Sequence, residues 1–210
     1  MSTLKDLVDD TRTDKNTRHD YLGVYHQLMS RLRSSATNVL EIGLGENNNV
    51  CNGGSMKLWL DYFEHAQVHG VEILDRSLYV NGWDKTWWNQ LLSNPRLHIH
   101  FSTNAYSPDF VDTLKDKKFD VLLDDGPHTL ESMIYFVQLY LPLLADNGLL
   151  IIEDIKEASW FDILKNMIPK EYHPFVKTFD LRANRPDNPY KDDLVLVIDK
   201  QPTTQQTQTN

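Results

Sequence analysis

The sequence has a single cysteine, no long apolar run and no excess of basic residues. One cysteine, Cys51, cannot form an intrachain disulfide, so a reducing compartment fits this chain best. The opening "MSTLKDLVDD" carries charges where a secretion signal needs an apolar core, and no segment approaches the length of a transmembrane helix. We therefore expect a soluble, cytoplasmic protein with no membrane partner.

The charge balance argues against a long nucleic acid as the partner. The chain has 21 Lys and Arg against 30 Asp and Glu, a formal net charge of -9. Binding to a phosphate backbone relies on Lys and Arg, which neutralise phosphates and release counterions. The sequence lacks that basic excess, which favours a small-molecule ligand.

The length fits one domain. With 210 residues, 40% of them hydrophobic, the chain can bury one sizeable core but is short for two. We expect a single domain over residues 1–200, in which residues 1–36 form a helical or lid segment. The final "QPTTQQTQTN" (201–210) has no large apolar side chain to offset the entropy cost of ordering, so it is predicted to be a disordered polar tail.

Short apolar runs alternate with segments of helical period. The predicted strands are Asn38–Gly45, Val68–Ile73, Leu97–Thr103, Phe119–Asp125 and Gly148–Ile155. The fourth and fifth hold continuous apolar stretches, which is typical of strands buried on both faces of a parallel sheet. Apolar residues recur at i, i+3, i+4 and i+7 from Met56 and again from Met133, which predicts helices packed on the sheet. Such alternation is the pattern of βαβ units.

The end of the domain departs from this pattern. His173–Arg182 and Asp193–Asp199 are strand-like runs separated by "ANRPDNPYKD", which predicts an antiparallel pair. The expected fold is α/β, with a mostly parallel seven-stranded sheet, a C-terminal antiparallel hairpin and helices on both faces. The Trp-rich segment Tyr79–Asn94 is expected to cover the sheet edge, either as part of the core or as a wall of a substrate site.

Polar residues at the carboxyl ends of the first two strands suggest a ligand site, because ligands of open α/β sheets bind there. Gly43 and Gly45 in "EIGLG" allow a tight turn and a close backbone approach. Gly-x-Gly turns occur in many folds, and Asn48 stands where the dinucleotide fingerprint needs a third glycine. Glu72 ends the second strand and could accept hydrogen bonds from a ribose diol or simply face solvent; beside the glycine turn, we favour the ribose.

Acidic doublets end the fourth and fifth strands in "LLDDGPH" and "IIEDI". Asp124-Asp125 and Glu153-Asp154 would converge if these strands are neighbours, and like charges repel unless protons or a cation compensate them. A hard cation such as Mg²⁺ would resolve the conflict. The alternative is that both doublets are strand ends pointing into water. His128, three residues after Asp125, could be a general base beside a metal or a structural histidine.

Together, "VLEIGLG", "GGSMKLWLDYFEHAQVHGVEI", "FDVLLDDGPH" and "NGLLIIEDI" resemble class I S-adenosylmethionine-dependent methyltransferases, in particular the metal-dependent sugar O-methyltransferases of macrolide biosynthesis. "TDKNTRHDYLGVYHQLM" is similar to the segment that precedes the first strand in that group. The resemblance implies a Rossmann-like class I methyltransferase fold. It also implies residue roles: Glu41, Gly43, Gly45, Glu72, Asn104 and Asp124 in S-adenosylmethionine binding, Asp125, Glu153 and Asp154 as ligands of Mg²⁺ or another divalent cation, and His128 as the catalytic base.

The expected function is Mg²⁺-dependent O-methylation of a sugar, glycoside or other small polyhydroxylated acceptor. The alternative is a catalytically silent subunit of the same fold that binds a protein partner. The sequence leaves open the acceptor, for example an antibiotic or a nucleotide sugar, and whether the chain forms a homo-oligomer. It also leaves open whether Thr13, Asp14, Lys15, His19 and Tyr21 form a lid over the site or a solvated helix start.

Overall fold

The computed structural model describes residues 2–45, 53–82 and 84–201. The expectations for Cys51, for Asn48 and for the tail beyond Gln201 concern residues outside these ranges. The strands are β1 (Asn38–Ile42), β2 (Gln67–Val71), β3 (Leu97–His100), β4 (Phe119–Asp124), β5 (Leu144–Ile152), β6 (Val176–Asp180) and β7 (Leu194–Asp199). The helices are α1 (Leu4–Leu7), α2 (Leu22–Met29), α3 (Gly54–Tyr62), α4 (Ser77–Val80), α5 (Lys85–Leu92), α6 (Pro108–Asp112), α7 (Leu130–Tyr140) and α8 (Trp160–Met167). Over the described residues, none of the helices combines the length and apolarity needed to cross a membrane.

The strands form one sheet in the order β3-β2-β1-β4-β5-β7-β6. β1 to β5 pair in parallel, whereas β7 is antiparallel to both β5 and β6. The predicted seven-stranded, mostly parallel sheet with a C-terminal antiparallel pair is therefore confirmed. The first five strands end one to three residues earlier than predicted, and β5 begins four residues earlier, at Leu144. β6 begins later than predicted because Lys170–Phe175, which contains Pro174, forms a 3₁₀ turn.

Both faces of the sheet are buried, as the continuous apolar runs predicted. In β4, Val121 and Leu123 face one core and Leu122 faces the other. The first core, called here the N-terminal face, is covered by α1 to α5; the second is covered by α6, α7 and α8. Helices thus lie on both faces of the sheet. Successive side chains at the end of a strand therefore contact different sets of helices.

The Trp-rich segment predicted at Tyr79–Asn94 contributes to the core of the N-terminal face. Tyr79 and Trp88 are both about 1% exposed, and their ring centroids lie 4.7 Å apart. Arg12 from the N-terminal segment lies over the Trp87 ring at 4.3 Å from its centroid. These contacts favour the core interpretation of this segment, with the N-terminal segment packed against it.

Three histidines, His69 of β2 and His98 and His100 of β3, stack on one face of the sheet. The His69 ring lies 4.9 Å from His98 and 5.9 Å from His100, centroid to centroid. His69 is buried, and neither of its ring nitrogens has a hydrogen-bond partner among the described residues. Burial, with the neighbouring histidines adding to it, lowers the pKa of His69 to about 4. The fold therefore holds this imidazole neutral.

We expect this stack to make the fold sensitive to acid. The pKa of His69 is lower in the folded chain than in the unfolded chain, so the unfolded chain binds more protons between about pH 6.5 and about pH 4. Stability should therefore fall as the pH is lowered through that window. Urea unfolding at pH 7.5 and pH 5 should show that the free energy of unfolding decreases less with acidification in His69→Leu than in wild type. The exposed His65 provides the control, and an equal loss in His69→Leu and His65→Gln would contradict this origin.

Candidate active site

A cavity of about 870 Å³ opens at the carboxyl ends of the parallel strands. Its walls come from the loops after β1 to β5, from the N-terminal segment and from the loop before β7. The lining residues are Asp14, Arg18, His19, Ile42 to Gly45, Val71 to Leu74, Thr103 to Tyr106, Asp125 to His128, Asp154, Lys156, Tyr190 and Asp192. This is the position at which ligands bind in open α/β sheets.

The glycine turn after β1 shapes one wall. Gly43 has φ +90°, and a side chain there would collide with the backbone carbonyl of Asp125. Its N–H donates to the Val71 carbonyl at 2.9 Å, so the loops after β1, β2 and β4 meet at this residue. Gly45 also has φ +90° and lines the cavity. The turn requires glycine for both conformation and space.

Glu72 is held in a fixed orientation beside this turn. Its two carboxylate oxygens accept hydrogen bonds from the backbone N–H groups of Leu44, at 3.1 Å, and Leu74, at 2.8 Å. The residue is 5% exposed and lines the cavity. Each carboxylate oxygen has a second lone pair, so Glu72 can still accept from a ligand hydroxyl. Asn104 lines the same cavity.

Two of the residues predicted to bind the cofactor, Glu41 and Asp124, are not among those that line the cavity. Asp124 is 3% exposed and accepts a hydrogen bond from the Tyr106 hydroxyl at 2.5 Å; Tyr106 itself lines the cavity. Burial raises the pKa of Asp124 to about 6, and the Tyr106 hydrogen bond opposes the rise. Glu41 is fully buried and accepts from the Trp59 indole N–H at 2.5 Å. Direct cofactor contacts by these two carboxylates stay predictions.

One buried lysine joins three carboxylates below the cavity. Lys15 Nζ lies 2.7 Å from Asp125 Oδ2, 2.5 Å from Glu153 Oε2 and 3.2 Å from Glu41 Oε1, and its side chain is 2% exposed. Burial alone would lower the pKa of Lys15, but the three carboxylates raise it well above its usual value. Tyr25 adds a hydrogen bond to Glu153 Oε1 at 2.6 Å. We call Lys15 and its three carboxylate partners the Lys15 cluster.

The N-terminal segment is thus part of the site. Lys15, His19 and Tyr21 are all buried, and the first helix after them, α2, begins only at Leu22. Of the two alternatives that the sequence left open, a lid or a solvated helix start, the second is therefore wrong for these three residues. The Tyr21 hydroxyl donates to Asp154 Oδ1, and His19 Nδ1 lies 3.0 Å from Asp193 Oδ1.

The remaining predicted residues meet at the cavity floor. His128 Nε2 lies 3.7 Å from Asp125 Oδ1 and 3.6 Å from Asp154 Oδ2. One ligand atom from each of these three residues lies within 4.8 Å of the others. Both His128 and Asp154 have φ 52°, a left-handed conformation that is costly for residues with side chains and often found at functional sites.

The chemistry of this floor fits a divalent cation. Asp125 and Asp154 supply two carboxylates beside open cavity space, which matches the preference of Mg²⁺ for a few carboxylate ligands plus water or substrate oxygens. Glu153 lies in the Lys15 cluster and is not part of this grouping, so its role as a ligand stays a prediction.

Sequence reasoning missed Tyr25, Tyr106 and Asp193. Tyr25 shares a helical stripe with Leu22 and Met29, where an aromatic residue is indistinguishable from ordinary core. Tyr106 stands in "STNAYS" after β3, and its position at a strand end was the available signal. Asp193 begins the last strand-like run, and nothing in its neighbours points to a histidine 174 positions away.

The fold and the cavity define a class I methyltransferase architecture. Residues 50–155 match the family model described as a methyltransferase domain. This match covers half of the chain, and the chain belongs to that family.

Curated relatives and solved structures agree with this assignment. The chain is 28% identical, over 70% of its length, to 8-demethyl-8-alpha-L-rhamnosyl tetracenomycin-C 2'-O-methyltransferase of Streptomyces olivaceus, covering 36% of that protein. It is 27% identical, over 68% of its length, to L-olivosyl-oleandolide 3-O-methyltransferase of Streptomyces antibioticus, covering 34% of it. The structure of MycE methyltransferase in complex with Mg and SAH is similar with a TM-score of 0.62 and 19% identity, over 94% of this chain and 57% of that one. The chain spans about a third of the length of these curated relatives.

We expect the ammonium of Lys15 to be essential for stability. Lys15→Met would leave the carboxylates of Glu41 and Glu153 buried without their cation, and breaking such a buried pair costs about 3–5 kcal/mol. The control is Lys5→Met, since Lys5 is half exposed in its pair with Asp20 and should cost at most about 1 kcal/mol. Urea unfolding at neutral pH measures both, and equal losses would contradict the proposed role of Lys15.

Proposed function

We propose that this chain transfers a methyl group from S-adenosylmethionine to a hydroxyl of a sugar, a glycoside or another small polyhydroxylated acceptor, with Mg²⁺ at the cavity floor. The observation that carries the proposal is one cavity in which the glycine turn and Glu72 lie with the His128, Asp125 and Asp154 grouping. The relatives are named as O-methyltransferases of sugars on small molecules, and these names support the choice of acceptor.

The wall formed by the glycine turn, Glu72 and Asn104 suits the cofactor. The turn gives the backbone a close approach to a ligand, and the fixed carboxylate of Glu72 can accept from both hydroxyls of a ribose. Asp124, held by Tyr106, contributes negative charge behind this wall, on the side where the cofactor's positively charged methionine portion would lie.

The cavity floor suits deprotonation of a hydroxyl. Mg²⁺, when bound by Asp125 and Asp154, supplies positive charge that lowers the pKa of an acceptor hydroxyl. His128 is the base that takes the hydroxyl proton on its ring. Its Nε2 lies 3.6 to 3.7 Å from one carboxylate oxygen each of Asp154 and Asp125, which places the ring at the cavity floor beside the proposed cation ligands.

The proposed reaction is a displacement at the methyl carbon. The acceptor oxygen forms a bond to that carbon, the carbon–sulfur bond breaks, and its electron pair stays on sulfur to give S-adenosylhomocysteine. The hydroxyl proton goes to His128. The chain's contribution is to align oxygen, methyl and sulfur and to exclude water. Residues 13–21 supply Asp14, Arg18 and His19 to the cavity wall, and in this proposal they act as a lid over the cavity. The lid and the rest of the site belong to a single domain over residues 1–200.

Cofactor binding can be tested without an acceptor. Glu72→Gln keeps an acceptor for one backbone N–H but loses the charge, and should weaken S-adenosylhomocysteine binding about 10- to 100-fold, because hydrogen bonds to a charged group contribute about 1.5–3 kcal/mol. Isothermal titration calorimetry measures this, with the half-exposed Glu64→Gln as control. Equal affinity in the two variants would remove Glu72 from the cofactor site.

The role of His128 can be tested separately. His128→Ala should reduce methyl transfer at least about 100-fold, the usual contribution of a general base, while S-adenosylhomocysteine affinity stays unchanged. Transfer of labelled methyl groups to a panel of glycosides measures turnover, with and without EDTA, and exposed His65→Ala is the control. Full turnover in His128→Ala would refute the base, and full turnover in EDTA would refute the metal. A wild-type chain that binds cofactor but methylates nothing would favour the silent-subunit alternative.

A further inference from the structure

A second group of potential metal ligands lies on the other side of Asp154. It consists of His19 from the N-terminal segment, Asp154 after β5 and Asp192 before β7, with one ligand atom from each within 4.8 Å of the others. All three residues are at least nine-tenths buried, and all three line the cavity. Neither His19 nor Asp192 takes part in a chemical step of the proposed reaction.

The orientation of Asp154 connects the two groups. Its Oδ1 lies 3.6 Å from His19 Nδ1, whereas its Oδ2 lies 3.6 Å from His128 Nε2. The left-handed backbone at Asp154 therefore places one carboxylate oxygen toward each group. A carboxylate with this arrangement can bridge two cations, as in enzymes that hold two metals about 3.5–4 Å apart.

Little positive side-chain charge lies next to the buried carboxylates beside His19. Asp193, which is fully buried, lies 3.0 Å from His19 Nδ1, whereas Asp14, 3.9 Å from Nε2, is paired with Arg18 at 3.4 Å. Within the described part of the chain, neither Asp192 nor Asp193 has a lysine or arginine nitrogen within 4.0 Å. One imidazole, even when protonated, cannot compensate both of these carboxylates and Asp154.

The ammonium of Lys15 is already paired within the site. It is held between Glu41, Asp125 and Glu153. Buried carboxylates that lack such a partner are normally paired or bind a metal. A cation from solution would supply the positive charge that the carboxylates beside His19 lack.

The second group is also held in place before any cation binds. Asn188 Nδ2 donates to Asp192 Oδ1 at 3.2 Å and to Asp193 Oδ2 at 2.6 Å. The Arg185 Nε donates to the His19 carbonyl at 3.3 Å, which ties the loop before β7 to the N-terminal segment. These contacts reduce the entropy cost of assembling ligands from three distant parts of the chain.

We propose that His19, Asp154 and Asp192 form a second divalent-cation site, which shares Asp154 with the Mg²⁺ site of the proposed function. One imidazole and two carboxylates offer ligands to a divalent cation such as Zn²⁺, which accepts imidazole nitrogen, or Mn²⁺, which accepts the carboxylate oxygens. A cation there would cross-link the N-terminal segment, the end of β5 and the loop before β7 across the cavity. The site deepens the proposed function, but its occupancy can be measured without turnover.

The test counts bound Mn²⁺ on the full chain by equilibrium dialysis and electron paramagnetic resonance. We expect two Mn²⁺ per wild-type chain and one in Asp192→Asn. Asp187→Asn, an exposed change in the same loop, should retain two. His19→Gln removes a different ligand and should also bind only one Mn²⁺. Circular dichroism establishes that each variant is folded.

The outcomes separate the two sites. Asp125→Asn should remove the first ion and keep the second. If the wild-type chain binds one Mn²⁺ that is lost in Asp125→Asn but kept in Asp192→Asn and His19→Gln, the second site is overturned and the proposed function is untouched. If one ion is lost in Asp192→Asn and His19→Gln but kept in Asp125→Asn, the second site stands and the assignment of the first fails.

Discussion

The structure depends on one buried ammonium that pairs with three carboxylates, two of them buried and the third, Asp125, partly exposed at the cavity. Glu41 lies within β1, Asp125 and Glu153 directly follow β4 and β5, and all three project to the face that the N-terminal helices cover. The parallel register that pairs Glu41 with Leu123, and Leu123 with Ile151, makes this convergence unavoidable. Without a cation, the repulsion and the lost hydration would oppose formation of the central sheet. The N-terminal segment supplies that cation, so the segment and the sheet stabilise each other.

This requirement also makes the N-terminal segment part of the cavity. Once Lys15 is fixed below the strand ends, the residues that follow it must cross the cavity before α2 begins at Leu22. His19 and Tyr21 meet Asp154 and Asp193 on this path. The loop before β7 is then held against the segment through Arg185. A contact that is needed for stability therefore also positions side chains for chemistry, and a change in this segment should affect both.

The fold could be predicted from local pattern, but only part of the site could. Continuous apolar runs gave β4 and β5, and the Asn- and Pro-rich break after Arg182 gave the antiparallel pair, because these signals lie within a few residues. The period of two in strands could also have placed Glu41, Asp125 and Glu153 on one face. The partner of that face was not predictable, since Lys15 lies 138 positions from Glu153. Nor was the left-handed turn at Asp154, which no glycine or asparagine marks.

The two neighbouring aspartates of "LLDDGPH" lie in different surroundings, because successive side chains of a strand point to opposite faces of the sheet. Asp124 projects to the side of α6 and α7, where Tyr106 binds it and burial raises its pKa to about 6. Asp125 projects to the N-terminal face, where Lys15 binds one of its oxygens and the other faces His128. Simple alternation would send Asp154 away from Asp125, to the side of Asp124. The left-handed backbone at Asp154 reverses this and returns its carboxylate to His128. The conformation of Asp154 therefore adds a second carboxylate to the group at His128, and Asp125 links that group to the Lys15 cluster.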